Sequence, residues 1–186
     1  DIPTGIKELP NGCIAYISNK SGNLEVWLTD PLGNKDFQLT VNKTPINGLK
    51  WSPTNEYLAF LNPDKELIIV DICNNQTLKV DQVDFFDWSP TGNQIAYSNK
   101  EGTYLTDLQG NSQKVVDNLF NPVFKDQDIL IGYTLVDDLN YPVMASVETD
   151  GSDFETYLSP VVPSYEVKIS PNGRYAISQL RRGFPY

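Results

Sequence analysis

Trp88-Ser89-Pro90-Thr91-Gly92-Asn93-Gln94-Ile95-Ala96-Tyr97-Ser98 decides the fold, because it recurs along the chain. An aromatic residue closes one apolar run, a Ser-Pro turn follows, and a second apolar run ends in tyrosine. Trp51-Ser52-Pro53-Thr54-Asn55-Glu56-Tyr57-Leu58-Ala59-Phe60 repeats the pattern 37 positions earlier. Ile169-Ser170-Pro171-Asn172-Gly173-Arg174-Tyr175-Ala176-Ile177 repeats it 81 positions later, about two periods of 40. Pro10-Asn11-Gly12-Cys13-Ile14-Ala15-Tyr16 is a shortened early copy, and Phe124-Lys125-Asp126 opens a degenerate one. Self-similarity at such a period marks a repeat architecture.

A second landmark keeps the same beat. Val26-Trp27-Leu28-Thr29-Asp30, Leu67-Ile68-Ile69-Val70-Asp71, Tyr104-Leu105-Thr106-Asp107 and Ala145-Ser146-Val147-Glu148 each end in an acid. Those acids stand 41, 36 and 41 residues apart. Gly33, Gly110 and Gly151 then supply the backbone freedom of a tight turn. The apolar runs are short, rich in β-branched and aromatic residues, and bounded by Gly, Asn, Asp and Pro, with no sustained helical period. Each repeat therefore reads as four short strands, in the second near Ile46–Trp51, Tyr57–Leu61, Leu67–Ile72 and Thr77–Val80.

Four antiparallel strands per repeat predict an all-β protein, a β-propeller of four-stranded blades. The expectation is a single propeller domain or propeller fragment over residues 1–186, with repeats near 5–45, 46–82, 83–118 and 119–163 and a partial one at 164–180. Gly5–Leu9 is expected as the first innermost strand, and Tyr165–Ile169 and Tyr175–Leu180 as half of a fifth blade. Half a blade leaves a strand edge open. The chain is thus expected to be part of a larger propeller, or to have its fifth blade completed by another chain.

"SNKSGNLEVWLTD", Ser18 to Asp30, is preceded by "GCIAY" and followed by "QLT" and then "WSP". This succession resembles the TolB-like, WD-like propeller repeat family over about residues 5 to 180. The repeat near 120–160 departs from it by losing the WSP, and the sequence carries no counterpart of the α/β domain that precedes the repeats in TolB. The resemblance implies the fold strongly and a binding role only as a class. It also implies that Trp51 and Trp88 pack between blades.

Bulk composition narrows the function. The 186 residues, 40% hydrophobic and 20% charged, are ordinary for a globular protein. A net charge of −10 repels phosphate backbones and argues against nucleic acid. With no histidine, the Ser-His-Asp and Cys-His nucleophile systems and His-ligated zinc are unavailable to this chain. Cys13 and Cys73 lack metal-binding spacing and read as small residues in or beside strands. No apolar run approaches the roughly 18 residues of a membrane helix, so no membrane insertion is expected. Neither a cofactor nor a metal is expected. Sequons at Asn19, Asn42 and Asn75 fit an extracytoplasmic protein, periplasmic or secreted.

Alternation along the innermost strands separates an apolar face (Leu49, Phe86, Pro122, Val167) from one bearing Lys50, Asp87, Val123 and Lys168, with Glu166 two residues earlier. Lys50, Asp87, Glu166 and Lys168 either line a channel mouth and meet a partner or pair with one another between blades. The segment Leu135–Pro142 reads as a longer loop, in which Asp137, Asp138 and Tyr141 are candidate partner contacts. The function expected is a non-catalytic protein-binding or assembly scaffold. The alternative is the substrate-gating propeller of a larger prolyl-oligopeptidase-like serine hydrolase, with the catalytic groups on another domain.

Overall fold

The computed structural model describes residues 12–41, 47–74, 76–136, 141–160, 167–170 and 173–177, excepting the side chains of 47, 141 and 158–160. Every regular element among them is a β-strand. The chain divides into two compact units, Asp1–Gln82 and Val83–Tyr186.

In the first unit, β1 (Ile14–Ser18), β2 (Glu25–Thr29) and β3 (Asp36–Gln38) form an antiparallel sheet in chain order. The innermost strand expected at Gly5–Leu9 lies outside the described residues. β4 (Asn47–Trp51), β5 (Tyr57–Leu61), β6 (Leu67–Asp71) and β7 (Gln76–Val80) form a four-stranded meander. Its strands begin and end within one residue of those read from the sequence. Alternation gives each strand one face for the core: Val26 and Leu28 of β2 pack with Leu58 and Phe60 of β5 and with Ile68 and Val70 of β6. Burying a side chain such as Phe60, 1% exposed, contributes roughly 1.5–3 kcal/mol.

The second unit holds two more four-stranded meanders. β8 (Phe85–Trp88), β9 (Gln94–Asn99), β10 (Gly102–Asp107) and β11 (Ser112–Val116) make one. β12 (Phe120–Phe124), β13 (Ile129–Val136), β14 (Tyr141–Glu148) and β15 (Glu155–Pro160) make the other. β16 (Lys168–Ile169) and β17 (Ala176–Ile177) then form a two-stranded sheet. Leu105 of the first meander and its neighbours Val115 and Val116 pack against Leu130, Ala145 and Val147 of the second, so the sheets meet face to face.

The segment Leu135–Pro142 departs from the long loop read in the sequence. β13 and β14 are eight residues each, and Leu135 pairs with Pro142 and Val136 with Tyr141. The extra residues lengthen a hairpin because Leu, Val and Tyr favour extended pairing. Asp137 and Asp138 lie outside the described residues.

The recurring serine holds the inner turns at Ser52, Ser89 and Ser170. Ser89 donates its N–H to the Gln94 carbonyl (2.9 Å), and its Oγ accepts from the Gln94 N–H (3.2 Å). Ser52 makes the same pair with Tyr57 (2.9 and 3.1 Å), and Ser170 with Tyr175 (2.8 and 2.9 Å). Asn55 or Gly92 takes the positive φ that closes the turn. The degenerate repeat reaches the same end with other chemistry. There Asp126 Oδ1 accepts from the N–H groups of Asp128 and Ile129, both at 3.0 Å.

Two substitutions test this packing. Ser89 is fully buried, so Ser89→Ala strands the Gln94 N–H and should lower stability by about 1–3 kcal/mol in urea denaturation. Gly132 lies in β13, where an added Cβ would meet the Phe120 carbonyl oxygen at 2.4 Å. Gly132→Ala should cost at least about 1–3 kcal/mol, the range for overpacking, whereas a change within 0.5 kcal/mol would contradict the close approach.

Candidate functional site

Most acids of the repeat are consumed by the turns they precede. Asp30 Oδ1 accepts from the N–H groups of Leu32 and Asn34, both at 2.9 Å. Asp71 Oδ1 does the same for Cys73 (2.9 Å) and Asn74 (2.8 Å). Asp107 Oδ1 accepts from Gln109 and Asn111 N–H (both 2.9 Å), and its Oδ2 from the Asn111 side chain (2.8 Å). Those bonds, led by the Asn111 side chain, hold the Asp107 carboxyl below the ordinary 3.8. The carboxylates are architectural here.

The inner-strand residues have different surroundings. Asp87, half-buried in β8, accepts at Oδ2 from the backbone N–H of Phe124 (3.2 Å), which ties the innermost strand of one meander to that of the next. Lys168 is exposed in β16, opposite Ile177. Lys50 is half-buried in β4, opposite Ala59, in the other unit. Glu166 lies outside the described residues, and so does the side chain of Tyr141. Trp88 is 6% exposed, and Trp51 packs against the core of the first unit. Cys13 lies immediately before β1 and Cys73 in the turn after β6.

Two features were not read from the sequence. On the far face of β12–β15, a groove of about 560 Å³ runs beside β16–β17. Ile131 and Met144 form part of its floor, and Glu148, Glu155, Tyr157 and Tyr175 part of its rim. The Tyr157 hydroxyl is 2.9 Å from Ser146 Oγ and donates to Glu155 Oε2 at 3.4 Å. The second feature is a cluster on the first sheet, where cross-strand register brings Tyr16 beside Trp27 and Asp36 beside Thr29. Lys20 Nζ sits 3.8 Å above the Trp27 ring and bonds to Asp36 Oδ2 (2.6 Å) and to the Tyr16 hydroxyl (2.5 Å). Hydrogen bonds from Lys20 first, then Tyr16, hold the Asp36 carboxyl low. The Trp27 indole N–H is buried with no acceptor among the described residues. Alternation in Tyr16, Trp27 and Asp36 was the available signal for this cluster, but pairing register is not legible in one sequence.

Antiparallel four-stranded meanders packed face to face, with a serine clamp at each well-kept inner turn, define the β-propeller class. The chain belongs to the NUP159/214 beta propeller family, whose model matches residues 9–130. Solved propeller structures match it as well. An oligogalacturonate lyase in complex with manganese is 14% identical with a TM-score of 0.68, covering 88% of this chain and 54% of that one. A putative TolB from Agrobacterium tumefaciens is 16% identical (TM-score 0.59), covering 76% and 59%. TolB from Acinetobacter baumannii is 14% identical (TM-score 0.55), covering 98% and 60%. The TolB-like propeller reading of the repeats is borne out, and at these identities the likeness is one of fold. The chain spans 54–60% of the length of these three structures. No curated protein sequence matches it.

Two outcomes are expected. Asp36 and Asp107 have lowered folded-state pKa values, so their contribution is present above the unfolded value and lost as pH falls through the folded one. The Tm should therefore hold from pH 7 to about 5 and drop below about 4, and the deficit of Asp107→Ala should shrink over that same drop. Asp87→Ala should cost about 1–3 kcal/mol by leaving the Phe124 N–H unpaired, while Lys168→Ala should stay within about 0.5 kcal/mol, both read by denaturation.

Proposed function

We propose that this propeller is a non-catalytic, extracytoplasmic scaffold that binds a protein partner through exposed inner-strand and loop residues. The observation that carries the reading is how the repeat spends its polar side chains. Ser52 and Ser89 clamp inner turns, Asp30, Asp71 and Asp107 cap outer ones, and Asp87 bridges two sheets. The repeated polar groups thus serve the framework, which suits a rigid platform whose function resides at its exposed points. Lys168 is such a point, exposed at the end of an inner strand. The net charge of −10 favours a basic or neutral partner and an on-rate that falls with salt.

The test uses immobilised purified protein and an extract of its source. A retained protein, released by rising salt and with its affinity changed at least about tenfold by Lys168→Ala at unchanged Tm, is the expected result; tenfold corresponds to about 1.4 kcal/mol. Failure to retain any protein would contradict the proposal. So would turnover of a proline-containing peptide by the protein from its natural source, which would favour the gating domain of a serine hydrolase.

A further inference from the structure

We infer that Tyr16, Trp27 and Asp36 on the first sheet form an ammonium site, held by Lys20 in the free protein and taken over by a lysine side chain of a protein partner. The internal repeat shows that this face is not built like a packing face. Tyr16 stands opposite Trp27 just as Phe60 stands opposite Ile68 in the second sheet. Phe60 and Ile68 are 1% and 7% exposed, within the core of the first unit. Tyr16 and Trp27 are half-buried, and a cation lies over their rings instead of an apolar side chain.

The resident cation defines the occupant's chemistry. Lys20 Nζ lies 3.8 Å from the centroid of the Trp27 ring and 5.1 Å from that of Tyr16, inside the range of about 6 Å over which a ring face attracts a cation. It donates to Asp36 Oδ2 at 2.6 Å and to the Tyr16 hydroxyl at 2.5 Å. Two ring faces, a carboxylate and a hydroxyl suit a primary ammonium, which has the N–H groups that both oxygens accept. A trimethylated ammonium would keep the rings and lose both hydrogen bonds.

Lys20 is also placed to leave. It reaches the site from the turn between β1 and β2, and its side chain is 34% exposed. An exposed ion pair of this kind is weak and must hold a long side chain in one geometry. Lys114 of the third sheet is the contrast. Its Nζ lies 5.6 Å from the Tyr104 ring, but it stands directly opposite Tyr104 in β11, so strand register sets it there. A net charge of −10 draws basic partners toward the site. That the incoming lysine belongs to a protein rests on the proposed scaffold role; the ammonium site itself does not, and its test involves neither Lys168 nor an extract.

The experiment titrates the purified protein with the capped peptide acetyl-Gly-Lys-Gly-amide and follows the indole N–H resonance of Trp27, assigned by its loss in Trp27→Phe. Lys20→Ala and Lys20→Ser vacate the site, and at unchanged Tm each should bind the peptide at least about tenfold more tightly than the wild type. The wild type should reach the same end point at the higher concentration, as peptide displaces Lys20. Adding Asp36→Asn to Lys20→Ala should weaken binding at least about tenfold, and the same peptide carrying acetyllysine should leave the resonance unmoved. No saturable shift in the vacated variants overturns the site, and so does equal affinity in variants and wild type. A wild type that never shifts overturns the exchange, and tighter binding of the trimethyllysine peptide overturns the preference for a primary ammonium.

Discussion

The structure depends on the serine that opens three of its inner turns, Ser52, Ser89 and Ser170. A turn between two strands of a sheet whose face is covered cannot leave backbone groups unpaired, since each orphan costs about 1–3 kcal/mol. Ser89 answers this with three atoms, its N–H, carbonyl oxygen and Oγ, all bonded within the five residues to Gln94. Because Ser52 and Ser170 do the same, neighbouring strands leave the turn in one geometry each time. Repeated geometry is what lets successive sheets carry equivalent apolar faces.

The acids at the ends of β2, β6 and β10 (Asp30, Asp71 and Asp107) perform the matching task at the opposite end of the hairpin. Each carboxylate accepts two backbone N–H groups, and the residue three places on closes the turn. Charge and fold are therefore coupled. Part of the net charge of −10 is present because turns need acceptors. Glu148 keeps the backbone bond to Gly151 at 2.9 Å, while Asp150 takes over the carboxylate's role toward Ser152 at 2.8 Å.

Both landmarks were legible because they are local, and the four strands of the second repeat followed from them almost residue for residue. Legibility ended where a feature depends on pairing or on packing between sheets. Leu135 and Pro142 read as loop because their pairing partners are each other across the hairpin, a fact of register. Asp87 stood out by charge, yet its partner is the Phe124 backbone N–H, 37 residues away and invisible as a side-chain type. The groove beside β17 arises from the juxtaposition of two sheets, and no single run of residues encodes it. Tyr16, Lys20, Trp27 and Asp36 carry ordinary letters that gain meaning only from register.

Residue-resolved hydrogen exchange of the protein at neutral pH tests the central claim most directly. If the serine clamp organises the repeats that carry it, the amides of Tyr57 and Gln94 at the turn exits will be protected together with those of the strands they begin. Exchange of both at the rate of an open loop, alongside protected strands, would contradict it.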